Sequence, residues 1–168
     1  PRSTLFPYTT LFRSKELIQK HTGGHLKVAP EHCSSNVLKQ MNKPGIGAFI
    51  EFLNIFRHLS KKEQYLVPYL ISSHPGCTLG DMLELNNFLK KYRLRVEQVQ
   101  DFIPLPMTAS AAMYHTGRNP YTGEKIFVEK TAAGKLRQRY ALDAPGGQSF
   151  AEGRKARGRR GRSAQDQD

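Results

Sequence analysis

Apolar positions fall into short runs of two kinds along the chain. HLKVAP (25–30), QYLVPYLIS (64–72) and RVEQVQDF (95–102) are brief, rich in β-branched and aromatic residues, and bounded by turn formers, as strands are. Between them the period lengthens. In GAFIEFLNIFRHLS (47–60), Phe49, Phe52, Leu53, Phe56 and Leu59 recur at i, i+3, i+4 and i+7, which predicts an amphipathic helix. In LGDMLELNNFLKKY (79–92), Met82, Leu85, Phe88 and Leu89 do the same, and Thr78 with Asp81 forms a T-x-x-D start signal. Residues 15–21, KELIQKH, read as the end of a helix stopped at Gly23-Gly24. Ser34 or Ser35 is placed to cap a short helix through NVLKQM, broken at Pro44-Gly45. After the third strand come a short helix (108–117, stopped by Gly117), a turn at NPYTGE (119–124), a small strand at KIFVE (125–129) and a last helix (132–142).

The order strand, helix, strand, helix, strand, with links long enough for crossovers, predicts an α/β fold of parallel βαβ units. Ligands in such folds sit beyond the C-terminal ends of the strands. APEHCSS (29–35), SSHPGCT (72–78) and DFIPLPMT (101–108) all occupy such ends. One rim is therefore expected to carry Glu31 and His32, then Ser72, Ser73, His74 and Cys77, then Asp101 and Phe102. A structural turn needs only a glycine and a cap. The additional polar groups suggest a ligand site beside carbonyls that are free to bond.

Charge and cysteines narrow the picture. Net charge is +12 over 168 residues, but the stretch 151–162, AEGRKARGRRGR, holds six Lys/Arg against one Glu. Residues 145–168 have little to bury and are expected to be a disordered basic tail, able at most to make weak nucleic-acid or anionic contacts. The two cysteines, Cys33 and Cys77, form no pairing pattern, which suits a reducing, cytoplasmic setting. No apolar run is long enough to span a membrane. Two chemistries remain open at the rim. Cys33, Cys77, His32 and His74 could converge on zinc, though without close ligand spacing. Cys77 at a helix start could act as a nucleophile with His74, but nothing supplies an acid to orient that histidine.

At the N-terminus, LFPYTTLFRS (5–14) follows no helical or strand period. It resembles the translated read-through of a sequencing adaptor, so residues 1–14 are expected to be non-native.

HLKVAPEH, VLKQMNKP, QYLVPYLISSHPGCTLGDM, RVEQVQDFIPLPMTASAAMYHTGRNPYTGE and KLRQRYAL, in this order, resemble the C-terminal half of the YgiQ-type radical S-adenosylmethionine (SAM) proteins. The resemblance covers roughly Gly24 to Leu142. It implies the last strands of a partial (βα)6 barrel over residues 15–117, a small C-terminal extension over 118–144, and the basic tail. It also implies an enzyme that in full-length form binds a [4Fe–4S] cluster and SAM, takes electrons from a donor and acts on an unspecified substrate. The cluster's C-x-x-x-C-x-x-C loop is absent from this sequence, and Cys33 and Cys77 cannot replace it. The chain alone is therefore expected to be inactive and poorly stable, with no metal ligands of its own. By position, the resemblance implies that Glu31 and His32 serve the SAM ribose. Backbone and apolar groups near Ser72, Phe102 and Ile103 would serve the adenine, with Ser73, His74 and the Gly76 turn beside them.

Overall fold

The computed structural model describes residues 6–61 and 63–142. Three strands, β1 (His25–Glu31), β2 (Tyr65–Ser72) and β3 (Gln98–Asp101), form a parallel sheet in the order β1-β2-β3. Helices α2 (Ser35–Gln40) and α3 (Gly47–Leu59) link the first pair of strands, and α4 (Leu79–Lys91) links the second. The α/β class and the parallel βαβ order agree with the pattern of apolar runs. Among the described residues no helix is long and apolar enough to cross a membrane. The expected tail, 145–168, lies outside the described residues.

The alternation of β2 separates its two sides. Leu66, Pro68, Leu70 and Ser72 share one side, and Leu70 packs with Val37, Met82, Leu85, Leu89 and Leu142. On β3, Val99 pairs with Leu70 and also packs against this core. On the other side, His25, Lys27 and Ala29 of β1 and Gln98 and Gln100 of β3 are exposed. Parallel sheets are usually covered on both faces; this one carries an apolar core on one face and exposed polar residues on its flanking strands on the other.

Several elements differ from their expected extent. Helix α1 runs over Phe6–Lys20, through a stretch whose sequence shows no helical period. β3 is four residues long because Leu94 and Val96 turn into the helical core instead of extending the ladder. The small strand expected at 125–129 is reduced to one antiparallel bridge, Arg118 to Lys125. Its backbone is used elsewhere: Ile126 N–H donates to Gly117 and the Phe127 carbonyl accepts from Gly76. In α4, Phe88 is only half-buried, against Phe49 and Tyr92, and Asn86 takes the buried position.

The T-x-x-D start of α4 forms a full capping box between Thr78 and Asp81. Ser34 occupies the N-cap position of α2 without capping it; its hydroxyl donates to Asp81 Oδ1 at 2.6 Å. One carboxylate thus ties the starts of α2 and α4 together. Burial raises the Asp81 pKa, but the bonds from Ser34 and Thr78 outweigh it and hold the group below its ordinary range.

The chain closes with α5 (Ala109–Thr116) and α6 (Ala132–Tyr140). Gly117, at φ 65°, ends α5 in the left-handed conformation, where glycine avoids the Cβ penalty. α6 packs against α4, β2 and β3, close to the C-terminal end of the sheet.

Candidate functional site

β2 ends at Ser72 and α4 begins at Leu79, so six residues must reverse the chain. They do so through two left-handed residues, Ser73 at φ 59° and Gly76 at φ 90°. The first is costly for a serine; the second suits glycine, because a Cβ there would also lie 2.9 Å from Gln40 Cγ. The other two strand-end segments each contain a left-handed residue as well, Glu31 at φ 64° and Met107 at φ 63°. At Glu31 the register slips: Val28 faces Pro68 but Glu31 faces Leu70, so β1 bulges by one residue and re-aims its last side chain. Left-handed non-glycine residues thus occur at the ends of β1 and β2, whereas Met107 lies six residues beyond β3, next to the Thr108 N-cap of α5, and is fully exposed. Asn42 and Arg93, the remaining ones among the described residues, follow the C-caps of α2 and α4.

The rim residues expected from sequence do gather at this edge. His32, Ser72, Ser73 and His74 are almost wholly buried. Phe102 meets His74 edge-on, with ring centroids 4.9 Å apart. Ile103, directly after Phe102, is 59% exposed. Glu31 is partly exposed and pairs with Lys43 at 2.7 Å. Glu31 pairs with Leu70 across the ladder, which places the ends of β1 and β2 beside one another.

The expectation of free carbonyls at β2's end is not met. The Ser72 carbonyl accepts from Phe102 N–H, His74 from Cys77 N–H, Pro75 from the His74 ring and Gly76 from the Asn36 side chain. Ser72 Oγ donates to Asp101 Oδ1 at 2.7 Å, and Arg139 pairs with the other Asp101 oxygen at 3.3 Å. Among the described residues, no buried side-chain polar atom lacks a partner. A tight, buried reversal must satisfy its own backbone, so the polar residues read as ligand groups are drawn inward.

The hydrogen bonds also settle the histidine tautomers. The Pro75 carbonyl can only accept, so His74 carries its proton on Nδ1 and accepts from Ser110 at Nε2, 2.9 Å away. Ser34 N–H donates to His32 Nδ1 at 3.0 Å, so the His32 proton lies on Nε2, which faces Cys77 Sγ at 3.7 Å. Burial lowers the His32 pKa to about 4, against partial support from Asp81, and it lowers that of His74 too. Burial pushes Cys77, and likewise Cys33, up to about 12.

This geometry tells against the nucleophile reading. His32 presents an N–H to the sulfur, not a base, and His74 spends both ring nitrogens elsewhere. Cys77 is a buried neutral thiol, and the helix-start dipole does not offset its desolvation. The zinc reading fares no better, because His32 and Cys77 touch but their remaining bonds go to Ser34 and Gln138. Among the described residues no group of three or more His, Cys, Asp or Glu is arranged to hold a metal.

Sequence reasoning missed Gln138. It lies on α6, 2% exposed, and fastens the loop from above. Its Oε1 accepts from Ser73 N–H at 2.9 Å and from Ser73 Oγ at 3.3 Å, while its Nε2 donates to the Cys77 carbonyl at 2.9 Å. One amide thereby satisfies the strained residue and the residue before the helix cap. Its signal in the sequence is faint: a polar residue four positions after Gly134, on the same helical side. A further depression of about 330 Å³ lies at the opposite end of the sheet, lined by Gln19, Thr22, Gly23, Lys61, Glu63 and Gln64. It is open and polar, and it shares no residue with the strand-end cluster.

Comparison with known proteins adds the family. Residues 97–142, which run from β3 through α6, match a family model described as a domain of unknown function (DUF3362). A UPF0313 protein of Geobacter sulfurreducens is 51% identical over 131 residues, covering 76% of this chain and 22% of that relative. A UPF0313 protein of Methanocella arvoryzae is 48% identical over 118 residues, 68% of this chain and 20% of the relative. The UPF0313 protein YgiQ of Escherichia coli is 48% identical over 124 residues, 69% of this chain and 17% of the relative. The chain spans about a fifth of the length of these relatives. It belongs with the UPF0313 proteins of the YgiQ type, over that stretch of their length.

Proposed function

We propose that this chain supplies the last three strands of a partial (βα)6 radical SAM-type barrel, and that its strand-end edge borders the SAM of the full-length protein. The observation that carries the reading is the edge itself. Three parallel strands end together, and the first two end in left-handed non-glycine residues, Glu31 and Ser73. Strain of this kind collects at ligand sites. An apolar core on one face of the sheet, with exposed residues on the flanking strands of its other face, also suits a barrel segment.

The residues fit the two cofactors unequally. A [4Fe–4S] cluster requires about four ligands, mostly thiolates. Cys33 and Cys77 are buried, protonated and engaged in packing, so this chain does not fit a cluster. For SAM the fit rests on fewer groups than the sequence suggests. Glu31 stands partly exposed with acceptor capacity beyond its Lys43 bond, which suits ribose hydroxyls. Phe102 and Ile103 offer an apolar wall. His32, Ser72, Ser73 and His74 hold the loop in shape, and Gly76 permits its turn. In the full-length protein SAM would supply the radical chemistry, and the residues of this chain would supply its position and the exclusion of water. By itself the chain is expected to take up no cluster and to be inactive.

The test is made in a full-length relative carrying Glu31→Ala. SAM affinity is expected to fall by about 1.5–3 kcal/mol, as for hydrogen bonds to a charged group, with iron content unchanged. Unaltered affinity would remove the ribose role. Iron lost from a Cys77→Ser variant would overturn the assignment of that loop to the cofactor's edge.

A further inference from the structure

The strongest feature outside the strand-end cluster is a charged surface on α5 and α6. Residues 102–142 contain six Lys/Arg and two Glu. Lys135, Leu136, Arg139 and Tyr140 follow i, i+1, i+4 and i+5 along α6, so they share one side of it. Leu136 and Tyr140 are exposed, Tyr140 by 55%. Beside them, Lys130 and Lys135 both place their ammonium groups over the Tyr114 ring, 5.5 and 5.3 Å from its centroid. Lys130 also donates to the His115 carbonyl, and Lys135 to the Tyr114 hydroxyl.

Two ammonium groups drawn to one ring repel each other, which an anion between them would relieve. The two nearby carboxylates are already engaged. Asp101 holds Arg139 and accepts from Ser72, and Glu129 turns back on the Thr131 hydroxyl and N–H while lying within the field of Lys135 and Arg137. Cations interleaved with an exposed aromatic ring suit a ligand that has phosphates and flat bases in alternation. A purely anionic surface would have no use for Tyr140.

We propose that this side of α5 and α6 binds single-stranded nucleic acid, with Lys130, Lys135 and Arg139 on phosphates and Tyr140 under a base. The site is folded protein, separate from the basic stretch 151–162, and it stands independently of the cofactor reading.

The experiment uses the full chain with the six Lys/Arg of 151–162 changed to Ser, so that the tail contributes no cations. Binding of a labelled oligouridylate and oligoadenylate is followed by anisotropy against salt. The tail-neutral chain is expected to bind both. Adding Lys130→Gln, Lys135→Gln and Arg139→Gln is expected to flatten the slope of log K against log salt by about 2, at about 0.7 per lost phosphate contact. Tyr140→Ala is expected to weaken binding about fivefold or more with the slope unchanged. If the triple variant melts early, Lys135→Arg against Lys135→Gln decides the matter, since only the second should lose affinity. The proposal is overturned if the tail-neutral chain does not bind, or if the Gln variants leave the slope unaltered. It is equally overturned if phosphatidylserine vesicles bind as tightly as the oligonucleotides.

Discussion

A buried glutamine fastens a helix to each end of β2, and the two fasteners work under different loads. At the N-terminal end, Gln64 donates to the Ile18 and Thr22 carbonyls, at 2.8 and 2.6 Å, and accepts from Lys61 N–H at 3.0 Å. It closes off the C-terminus of α1 beside an open polar depression, where water can replace any bond that is lost. At the C-terminal end, Gln138 serves a loop that contains two left-handed residues, the buried His74 and a buried thiol, with His32 against that thiol. Water has no such access there. The same side chain is thus a helix stop at one end and a brace for strained backbone at the other.

The sharpest way to break the contrast is at the turn. Gly76→Val adds left-handed strain and forces a Cβ against Gln40. Together these are expected to cost about 4 kcal/mol in urea denaturation. Gly23 has open space around its Cβ position, and the same substitution there is expected to cost far less. Equal losses would mean that the C-terminal turn carries no special constraint.

Acid is the next largest lever. His32 is held neutral in the fold with a pKa of about 4, whereas in the unfolded chain it protonates near 6.5. The unfolded state therefore binds more protons below pH 6.5. The stability that His32 contributes is complete above that pH and is lost as pH falls toward 4, to the extent of about 3 kcal/mol. Burial of His74 acts in the same direction. Amide exchange at Ser73 and Cys77 is expected to accelerate before exchange at Gln64. Simultaneous acceleration at both ends would argue against a local proton trigger.

Replacing the fasteners themselves sharpens the comparison. Gln138→Leu orphans the Ser73 N–H and the Cys77 carbonyl in a dry setting, for about 2–3 kcal/mol. It should also open the Cys77 thiol to a disulfide reagent. Gln64→Leu is expected to cost about 1 kcal/mol, because its partners can turn to water. The smallest effect is expected from Thr78→Ala, about 1 kcal/mol or less, since Asp81 keeps its bond from Ser34. A thermal melt that ranks Gln64 above Gln138 would reverse the argument.

What could be read from the sequence follows from how local each signal is. The apolar run of β2, the T-x-x-D cap of α4 and the buried Phe49, Leu53 and Phe56 of α3 depend on residues a few positions apart, and the structure reproduces them. The gathering of His32, Ser73 and His74 at one edge follows from the parallel order of the strands alone. The inward bonding of Ser73 and His74 does not, because it depends on Gln138 and Ser110, 65 and 36 residues from their partners. The Glu31–Lys43 pair required knowledge of the bulge, which no local pattern announces. At 125–129 a short apolar run suggested a strand, but a strand needs a partner edge, and the loop at Gly76 had already taken the Phe127 carbonyl.

The distance between Cys77 and Gln138, 61 residues, also sets a timetable. At roughly 5–20 residues per second, the turn leaves the ribosome several seconds before the residue that braces it has been made. During that interval Ser73 has no reason to stay left-handed, and the thiol of Cys77 has no cover. Chains stalled just short of residue 138 should label at Cys77, and chains released beyond α6 should not. The last helix of the described chain is therefore the latch that completes a turn written far earlier in the message.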